Sequence, residues 1–268
     1  MRNDHKKVLR GKLYGIGIGP GDPKLLTLRA KDALEKADTI FAPKGSDEGI
    51  SVARKIIEQV IEGKKTYVEL TFPMTKDKNL LRKYWKKAAQ RIAGEIKKGK
   101  QAAFVTLGDP FIYSTYIYLL KMLKQDFPNI DVETIPGISA FNAAASRAQL
   151  PLVEGNEKLA IVPVSKNLTG VRKTLEEFDT VVLMKVGAKL DKIIRLLKKM
   201  RLIQRSVLIS RLGQENETVV KDMSTLTDKK SGYLSVIIVK CKNRNLRWVK
   251  KQKSILLAQD PATPSFLR

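Results

Sequence analysis

The sequence contains very little cysteine and histidine. Cys241 and His5 are the single representatives of these residue types among 268 residues. One cysteine excludes an internal disulfide framework and a cluster of metal-binding thiolates. His5 lies in a basic leader without a second ligand at metal-site spacing, so the usual general base is missing from the folded part of the chain. We therefore expect no metal site and no hydrolase triad, and we interpret Cys241 as a packed residue at the end of an apolar strand.

Long apolar runs are also missing. No segment approaches the ~18 apolar residues of a membrane span, and the leader is charged without the apolar stretch of a secretion signal. These features predict a protein that stays in the cytoplasm and does not bind membranes. The length of 268 residues and a hydrophobic content of 43% predict a folded enzyme-sized chain of two domains.

Acidic residues are outnumbered, with 27 against 51 basic residues and a formal net charge of +24. Such a surplus predicts attraction to polyanions, which include nucleic acid and carboxylate-rich small molecules. Aromatic residues make up only 6% of the chain, and no ribonucleoprotein-type motif is present. Much of the surplus lies at the chain ends and on helix faces, where a solvated surface is the simpler interpretation. Nucleic acid is therefore a disfavoured partner.

Three apolar runs end in turns rich in glycine and proline. The turns read Gly-Pro-Gly-Asp-Pro at 19–23, Gly-Asp-Pro at 108–110 and Pro-Gly-Ile-Ser-Ala at 136–140. Ordinary turn chemistry accounts for any one of them. Three in one half of the chain indicate carboxyl ends of parallel strands, where open α/β sheets bind ligands, and predict that the turns line one cleft.

The first turn does not match better-known glycine-rich loops. In a Gly-x-Gly-x-x-Gly dinucleotide fingerprint, counting from Gly15 puts Pro20 in the last position and counting from Gly17 puts Asp22 there. No Lys-Ser or Lys-Thr follows to complete a P-loop. Glycine has no side chain, so a flat ligand can approach the backbone closely at this turn.

Strand and helix patterns alternate along the chain, as in α/β proteins with a mostly parallel sheet. Closely spaced short segments from Glu217 onward predict antiparallel pairing at that end. We divide the chain into a basic leader (1–11), an N-terminal α/β domain (12–136), a C-terminal α/β domain (137–242) and a basic tail (243–268). The predicted strands are 13–18, 39–42, 66–70, 102–107, 130–135, 159–164, 180–186, 206–210 and 233–239, and the predicted helices are 25–36, 50–61, 80–96, 113–123, 171–177 and 190–199.

With the run Glu-Leu-Thr-Phe-Pro-Met at 69–74, Trp85 and Tyr-Ser-Thr at 113–115, these turns resemble the tetrapyrrole methylase family from about Lys12 to Lys240. The details are similar to the branch that methylates C20 of precorrin-2 or of its cobalt complex, cobalt-factor II, in cobalamin synthesis. The resemblance implies two α/β domains of the tetrapyrrole methylase type with the active site in the cleft between them. It also implies S-adenosylmethionine as cofactor, a tetrapyrrole substrate and a homodimer.

The resemblance implies site residues one by one, with Asp109 as the partner for a cationic amino group or a ribose hydroxyl of the cofactor. Residues in and beside the turns are candidates to bind substrate, because precorrin-2 is an octacarboxylate and basic side chains would serve it. The implied cofactor-binding residues are Pro20, Leu107, Gly108, Asp109, Ile112, Ser139, Ala140, Met184 and Gly213. The candidate substrate-binding residues are Gly19, Gly21, Lys24, Lys44, Tyr113, Ser114, Thr115, Tyr116, Arg147 and Arg211.

One departure from the family leaves the catalytic residue unknown. Uroporphyrinogen methylases carry an aspartate after the second strand that is thought to accept a proton, whereas this chain has Phe-Ala-Pro-Lys at 41–44. C20 must still lose a proton after methylation, and Tyr113, Ser114 and Tyr116 are the candidate acceptors. A methyltransferase of the same fold that acts on another tetrapyrrole position or on ribosomal RNA ribose remains an alternative, although the 69–74 and 113–115 patterns are not expected in an RNA enzyme.

Overall fold

The computed structural model describes residues 11–45, 50–165, 167–226 and 234–242. The chain forms two compact units, Met1–Ala140 and Phe141–Arg268. The division lies a few residues beyond the predicted boundary at 136/137. His5, the basic leader up to residue 10 and the basic tail from residue 243 lie outside the described residues.

The first unit contains a sheet of five parallel strands in the order β3-β2-β4-β1-β5. The described connections between these strands carry four helices, and the helix that follows β5 begins at the last residue of this unit and lies in the second unit. The strands are β1 (Lys12–Gly17), β2 (Thr39–Lys44), β3 (Thr66–Thr71), β4 (Gln101–Thr106) and β5 (Asp131–Ile135), and the helices are α1 (Leu28–Lys36), α2 (Val52–Ile57), α3 (Lys78–Lys97), α4 (Tyr116–Asp126) and α5 (Ala140–Ala148), with a 3₁₀ turn at Pro23–Leu25.

Both faces of this sheet are buried. Successive side chains of a strand point to opposite faces, so Ile40 joins a core cluster with Leu34 of α1, whereas Phe41 joins a second cluster with Ile92 of α3. Burial on both faces explains why these strands are nearly continuous apolar runs in the sequence.

Capping hydrogen bonds and local backbone conformation set the ends of the helices. The carboxylate of Asp77 accepts hydrogen bonds from the backbone N–H groups of Asn79 and Leu80, so α3 begins at Lys78, close to the predicted start at residue 80. The predicted helix 113–123 begins three residues too early, because Tyr113 has a φ of 52° and leaves the helical region. The predicted helix 50–61 is shorter and ends at Ile57.

The second unit contains a mixed sheet in the order β6-β7-β10-β8-β9, in which β10 runs antiparallel to β7 and β8, and β9 runs antiparallel to β8. The predicted antiparallel pairing is confirmed. Because β10 opposes both neighbours, β7 and β8 end at the same edge. The elements are β6 (Leu159–Pro163), α6 (Thr169–Glu177), β7 (Thr180–Met184), α7 (Leu190–Lys199), β8 (Ser206–Ser210), β9 (Thr218–Val220) and β10 (Ser235–Lys240), with 3₁₀ turns at Gly187–Lys189, Ile203–Arg205 and Met223–Thr225.

Cys241 follows β10 and packs against the core of the second unit, as predicted. Burial raises the pKa of its thiol to about 11, so the thiol is protonated and unreactive at neutral pH. Within the described ranges, no helix combines the length and apolarity of a membrane span. The same residues contain no group of three His, Cys, Asp or Glu side chains arranged to hold a metal ion.

Candidate functional site

The first two glycine-rich turns are joined by backbone hydrogen bonds. Strands β1 and β4 are parallel neighbours, so their turns leave the sheet at the same edge. The N–H of Ile18 donates to the carbonyl of Thr106 at 3.0 Å. Gly108 then donates to Gly19 at 2.7 Å, and Gly19 donates back to Gly108 at 3.3 Å, which forms an isolated antiparallel bridge. The two turns therefore behave as one rigid piece of backbone.

The third turn packs directly on the other two, and only glycine allows this. A Cβ added to Gly17 would lie 2.6 Å from both the carbonyl oxygen of Gly108 and the nitrogen of Gly137. A Cβ added to Gly137 would lie 2.6 Å from the carbonyl carbon of Gly17, and closer still to the Gly108 oxygen. Side chains at these positions would force the turns apart. The predicted convergence of three turns is thus present within the first unit.

Asp109 links the second turn to the third. Its Oδ1 accepts a hydrogen bond from the N–H of Phe111 at 2.9 Å, and its Oδ2 accepts one from the N–H of Gly137 at 3.2 Å. The sequence interpretation gave this carboxylate only a direct contact with the cofactor. The structure adds a positioning role, while each oxygen keeps a second lone pair for a ligand.

The implied cofactor residues of the first unit lie in these three turns. The backbone N–H of Ile112 donates to the carbonyl of Asp109 at 3.3 Å, and Ser139 precedes Ala140, the first residue of α5. A Cβ added to Gly108 would meet only the nitrogen of Ala140, at 3.8 Å, so the space over this glycine is open. The residues gathered at this edge are Pro20, Leu107, Gly108, Asp109, Ile112, Ser139 and Ala140.

Two candidate substrate-binding residues, Tyr116 and Ser114, have buried side chains. Tyr116 is 0% exposed, and its hydroxyl lies 2.6 Å from the hydroxyl of Thr134. Its ring fills the space where Gly15 lacks a Cβ. Ser114 is also buried, and its hydroxyl lies 2.8 Å from the hydroxyl of Thr106. Both side chains are hydrogen-bonded within the first unit, and their contacts with a substrate or with the C20 proton stay predictions.

Tyr113 and Thr115 lie nearer the surface, with Tyr113 exposed and Thr115 half-buried. Partial burial raises the pKa of the Tyr113 phenol. A protonated phenol forms hydrogen bonds but is a poor proton acceptor at neutral pH. Tyr113 therefore suits substrate binding better than proton abstraction.

The basic candidates of the first unit have different surroundings. Lys24 is exposed, and its backbone N–H donates to the carboxylate of Asp22 at 2.8 Å, beside the first turn. Lys44, at the end of β2, forms an ion pair with Glu69 at 3.3 Å. The N–H of Ser51 donates to Glu69 at 2.9 Å and, together with Lys44, lowers the pKa of the Glu69 carboxyl. Glu69 belongs to the run at 69–74 that resembles the family, but the sequence did not predict its ion pair with Lys44.

The implied residues of the second unit lie at the end of β7 and after β8. Met184 is half-buried and pairs with Val236, while Ser210, the last residue of β8, pairs with the adjacent Ser235. Gly213 follows in a loop with a φ of 73°. Register therefore brings the strand ends that carry Met184 and Gly213 to one edge of this sheet.

Glu217 is a functional candidate that the sequence interpretation missed. Its Oε2 accepts a hydrogen bond from the N–H of Gly213 at 2.7 Å, and its Oε1 pairs with the guanidinium of Arg147. Arg211, the other basic candidate here, has a φ of 51° and accepts the N–H of Gln214 through its carbonyl at 3.0 Å. Nothing in a local motif signals the pairing, because Arg147 and Glu217 are 70 positions apart.

Two concave pockets of the described chain lie away from these turns. One is lined by Gly11, Gly99 and Ile130, which precede β1, β4 and β5, so it opens at the opposite edge of the first sheet. The other lies beside β3 and is lined by Tyr84 and Arg91 of α3. Neither pocket is lined by a residue of the three turns.

Comparison with known sequences gives a consistent set of relatives. The chain is 39% identical over 239 residues to the probable cobalt-precorrin-2 C(20)-methyltransferase of Methanocaldococcus jannaschii, covering 85% of this chain and 96% of the relative. It is 32% identical over 233 residues to the cobalt-precorrin-2 C(20)-methyltransferase of Salmonella typhimurium, covering 86% and 97%. It is also 32% identical over 236 residues to the precorrin-2 C(20)-methyltransferase of a Sinorhizobium species, covering 85% and 95%.

Solved structures share the fold. A cobalt precorrin-4 methyltransferase superposes with a TM-score of 0.66 at 19% identity, covering 87% of this chain and 96% of that chain. The uroporphyrin-III C-methyltransferase of Thermus thermophilus complexed with S-adenosyl homocysteine superposes with a TM-score of 0.61 at 19% identity, covering 89% and 100%. The predicted two-domain α/β fold is confirmed. The sequence model of the Tetrapyrrole (Corrin/Porphyrin) Methylases matches residues 12–227, and the chain belongs to that family.

Proposed function

We propose that this chain methylates C20 of precorrin-2 or cobalt-factor II with S-adenosylmethionine, in cobalamin biosynthesis. The observation that carries the proposal is the bridged pair of turns at Gly19 and Gly108, in a chain that matches C20-methyltransferases over at least 95% of their length. The turns support the cofactor, and the relatives support the substrate.

The described residues fit S-adenosylmethionine. The space over Gly108 is open, and the neighbouring turns leave backbone rather than side chains at the strand ends. A flat adenosine can approach such backbone closely. The residues that would hold the cofactor in the first unit are those of the three turns, and in the second unit Met184 and Gly213. When bound, S-adenosylmethionine supplies an electrophilic methyl group on a positively charged sulfur.

The chain's own task in methyl transfer is orientation. Attack by an electron-rich carbon on a sulfonium methyl group needs no general base, so correct placement of the two reactants accounts for much of the acceleration. A rigid backbone platform, such as the joined turns, suits this task. The subsequent loss of the C20 proton has no assigned acceptor, because Ser114 and Tyr116 are buried and the phenol of Tyr113 stays protonated at neutral pH.

The carboxylates of the substrate require cationic partners. Lys24, Lys44, Arg147 and Arg211 remain the candidates, since all four lie beside strand ends or turns of their units. Guanidinium and ammonium groups bind carboxylates through charge-assisted hydrogen bonds. Substitution of Arg211 by alanine should therefore raise the Michaelis constant for the tetrapyrrole and leave S-adenosylmethionine binding intact.

We also propose that the enzyme acts as a homodimer in the cytoplasm, on the strength of the family resemblance. Light scattering of the purified protein measures its molar mass in solution and so tests the homodimer directly.

The experiment that tests the function compares substrates. The purified enzyme is incubated with labelled S-adenosylmethionine and, separately, precorrin-2, cobalt-factor II and ribosomal RNA. We expect label to enter one or both tetrapyrroles. Label in RNA alone would support the ribose-methylase alternative, which the basic surplus favours.

A further inference from the structure

The loop after β8 is held in shape by one acidic side chain. The loop contains two left-handed backbone positions, Arg211 with a φ of 51° and Gly213 with a φ of 73°. Inside the loop, the backbone N–H of Gln214 donates to the carbonyl of Arg211 at 3.0 Å, and the backbone N–H of Glu217 donates to the carbonyl of Gln214 at 2.9 Å. Neither of these bonds uses the N–H of Gly213. That N–H donates instead to the side-chain Oε2 of Glu217.

The carboxylate of Glu217 makes two unequal contacts. The Glu217 side chain is 16% exposed, whereas that of its partner Arg147 is 64% exposed. An ion pair with so exposed a partner is screened by solvent and contributes little. The bond from Gly213 to Oε2, at 2.7 Å, is a charge-assisted hydrogen bond to a mostly buried acceptor, and such bonds are the stronger class. The main effect of Glu217 is therefore on the conformation of Gly213.

A second observation indicates that this loop meets a ligand. The side-chain amide nitrogen (Nε2) of Gln214, the residue after Gly213, is buried and has no hydrogen-bond partner among the described residues. Buried donors are satisfied in nearly all native structures, so an unpaired one marks a place where an acceptor from outside the chain is expected. A carbonyl, hydroxyl or carboxylate oxygen of a ligand would satisfy it.

We infer that Glu217 is a positioning residue of the S-adenosylmethionine site, which fixes Gly213 in the backbone conformation that contacts the cofactor. This inference rests on the proposed function, in which Gly213 forms part of the cofactor site. Glu217 does not touch the cofactor. It acts through the N–H of Gly213, which needs an acceptor oxygen at this distance.

Two substitutions separate reach from charge. Glu217→Gln keeps an oxygen at the same distance from the backbone and removes the charge that faces Arg147. Glu217→Asp keeps the charge and shortens the side chain by one methylene, so the oxygen no longer reaches the N–H of Gly213. Glu215→Ala is the matched control, because Glu215 is an exposed glutamate of the same loop.

The readout is the dissociation constant for S-adenosylmethionine, measured by calorimetric titration of full-length protein whose fold has been checked by circular dichroism. We expect Glu217→Asp to bind about tenfold more weakly, the loss of one hydrogen bond to a charged group. Glu217→Gln should stay within about threefold of wild type, since a neutral acceptor replaces a charged one. Glu215→Ala should bind as wild type does.

The reverse order, with the glutamine variant weak and the aspartate variant normal, would overturn the inference in favour of a charge effect. Equal binding by both variants, whether normal or weak, would overturn it as well. Wild-type protein that binds no S-adenosylmethionine at all would instead refute the proposed function, so the two failures are distinguishable. The aspartate variant should keep the kcat of wild type, measured at saturating concentrations of both substrates. Its KM for S-adenosylmethionine should be raised, and its KM for the tetrapyrrole should be unchanged.

Discussion

The two units of this chain fix their glycine-bearing turns by different means. In the first unit, backbone packs on backbone, and Gly17 and Gly137 have no side chains to separate the turns. In the second unit, a side chain holds the turn, because the carboxylate of Glu217 accepts a hydrogen bond from the N–H of Gly213. A Cβ at Gly17 or Gly137 would clash with backbone atoms, whereas the position of Glu217 tolerates any residue that supplies an acceptor at the right distance. Substitutions in the first unit should therefore have the larger effects.

The largest effect is expected from Gly137→Ala. The new Cβ would lie 2.6 Å from the carbonyl carbon of Gly17, so the turns must separate. Overpacking of this kind costs about 2 to 3 kcal/mol of the free energy of unfolding, and the displaced turns should no longer bind S-adenosylmethionine. Denaturant titration and calorimetry measure the two quantities.

The control for this substitution is Gly94→Ala, in the last turn of α3, where an added Cβ meets nothing within 4 Å. Alanine at a helical position should stabilise the protein by roughly 0.5 to 1 kcal/mol and leave binding unchanged. Equal behaviour of the two variants would show that the contact among the turns is unimportant.

A smaller but clear effect is expected from Asp109→Ala. This substitution removes the acceptor for the N–H groups of Phe111 and Gly137. In the proposed function this carboxylate also contacts the cofactor, and loss of a hydrogen bond to a charged group costs about 1.5 to 3 kcal/mol, which predicts binding of S-adenosylmethionine weakened roughly tenfold to hundredfold. Asp109→Asn keeps one acceptor oxygen and should give an intermediate dissociation constant. A folded alanine variant with an unchanged constant would remove Asp109 from the site.

Tyr116→Phe should affect stability only. The hydroxyl is buried against Thr134, and its removal costs about 1 kcal/mol of the free energy of unfolding. Because Tyr116 is in the core, kcat and both Michaelis constants should match those of wild type. Tyr113→Phe, at the exposed position, should instead raise the Michaelis constant for the tetrapyrrole. A strong loss of turnover in Tyr116→Phe, without loss of stability, would restore its role as a proton acceptor.

The smallest effect concerns pH. Lys100 and Lys98, next to the amino end of β4, lower the pKa of Glu95 to about 2. An unfolded glutamate titrates near pH 4.3, so the stabilisation by this carboxylate is complete above that pH and is lost as the pH falls toward 2. Glu95→Gln should therefore flatten the dependence of melting temperature on pH in this interval and leave binding at pH 7 unchanged. An equally steep dependence in the variant would assign the acid sensitivity to other carboxylates.

The same contrast explains which features were predictable from the sequence. Glycine-rich turns and the helical spacing of α3 are local patterns, so the three turns and the helix from Lys78 to Lys97 were anticipated closely. The burial of Tyr116 was not, because its ring in α4 fits against Gly15 of β1, a contact that the local pattern around Tyr116 does not encode. The pairing of Glu217 with Arg147 was missed for the same reason. Contacts between distant positions depend on tertiary packing, which no short motif encodes.

Methylation at C20 is best checked by locating the transferred methyl group. Precorrin-2 and cobalt-factor II are each incubated with the enzyme and S-adenosylmethionine carrying ¹³C in its methyl group, and the products are analysed by mass spectrometry and carbon NMR. We expect a single added methyl group whose resonance is that of a methyl on C20. A single methyl group at another position of the macrocycle, or no methyl transfer to either tetrapyrrole, would refute methylation at C20.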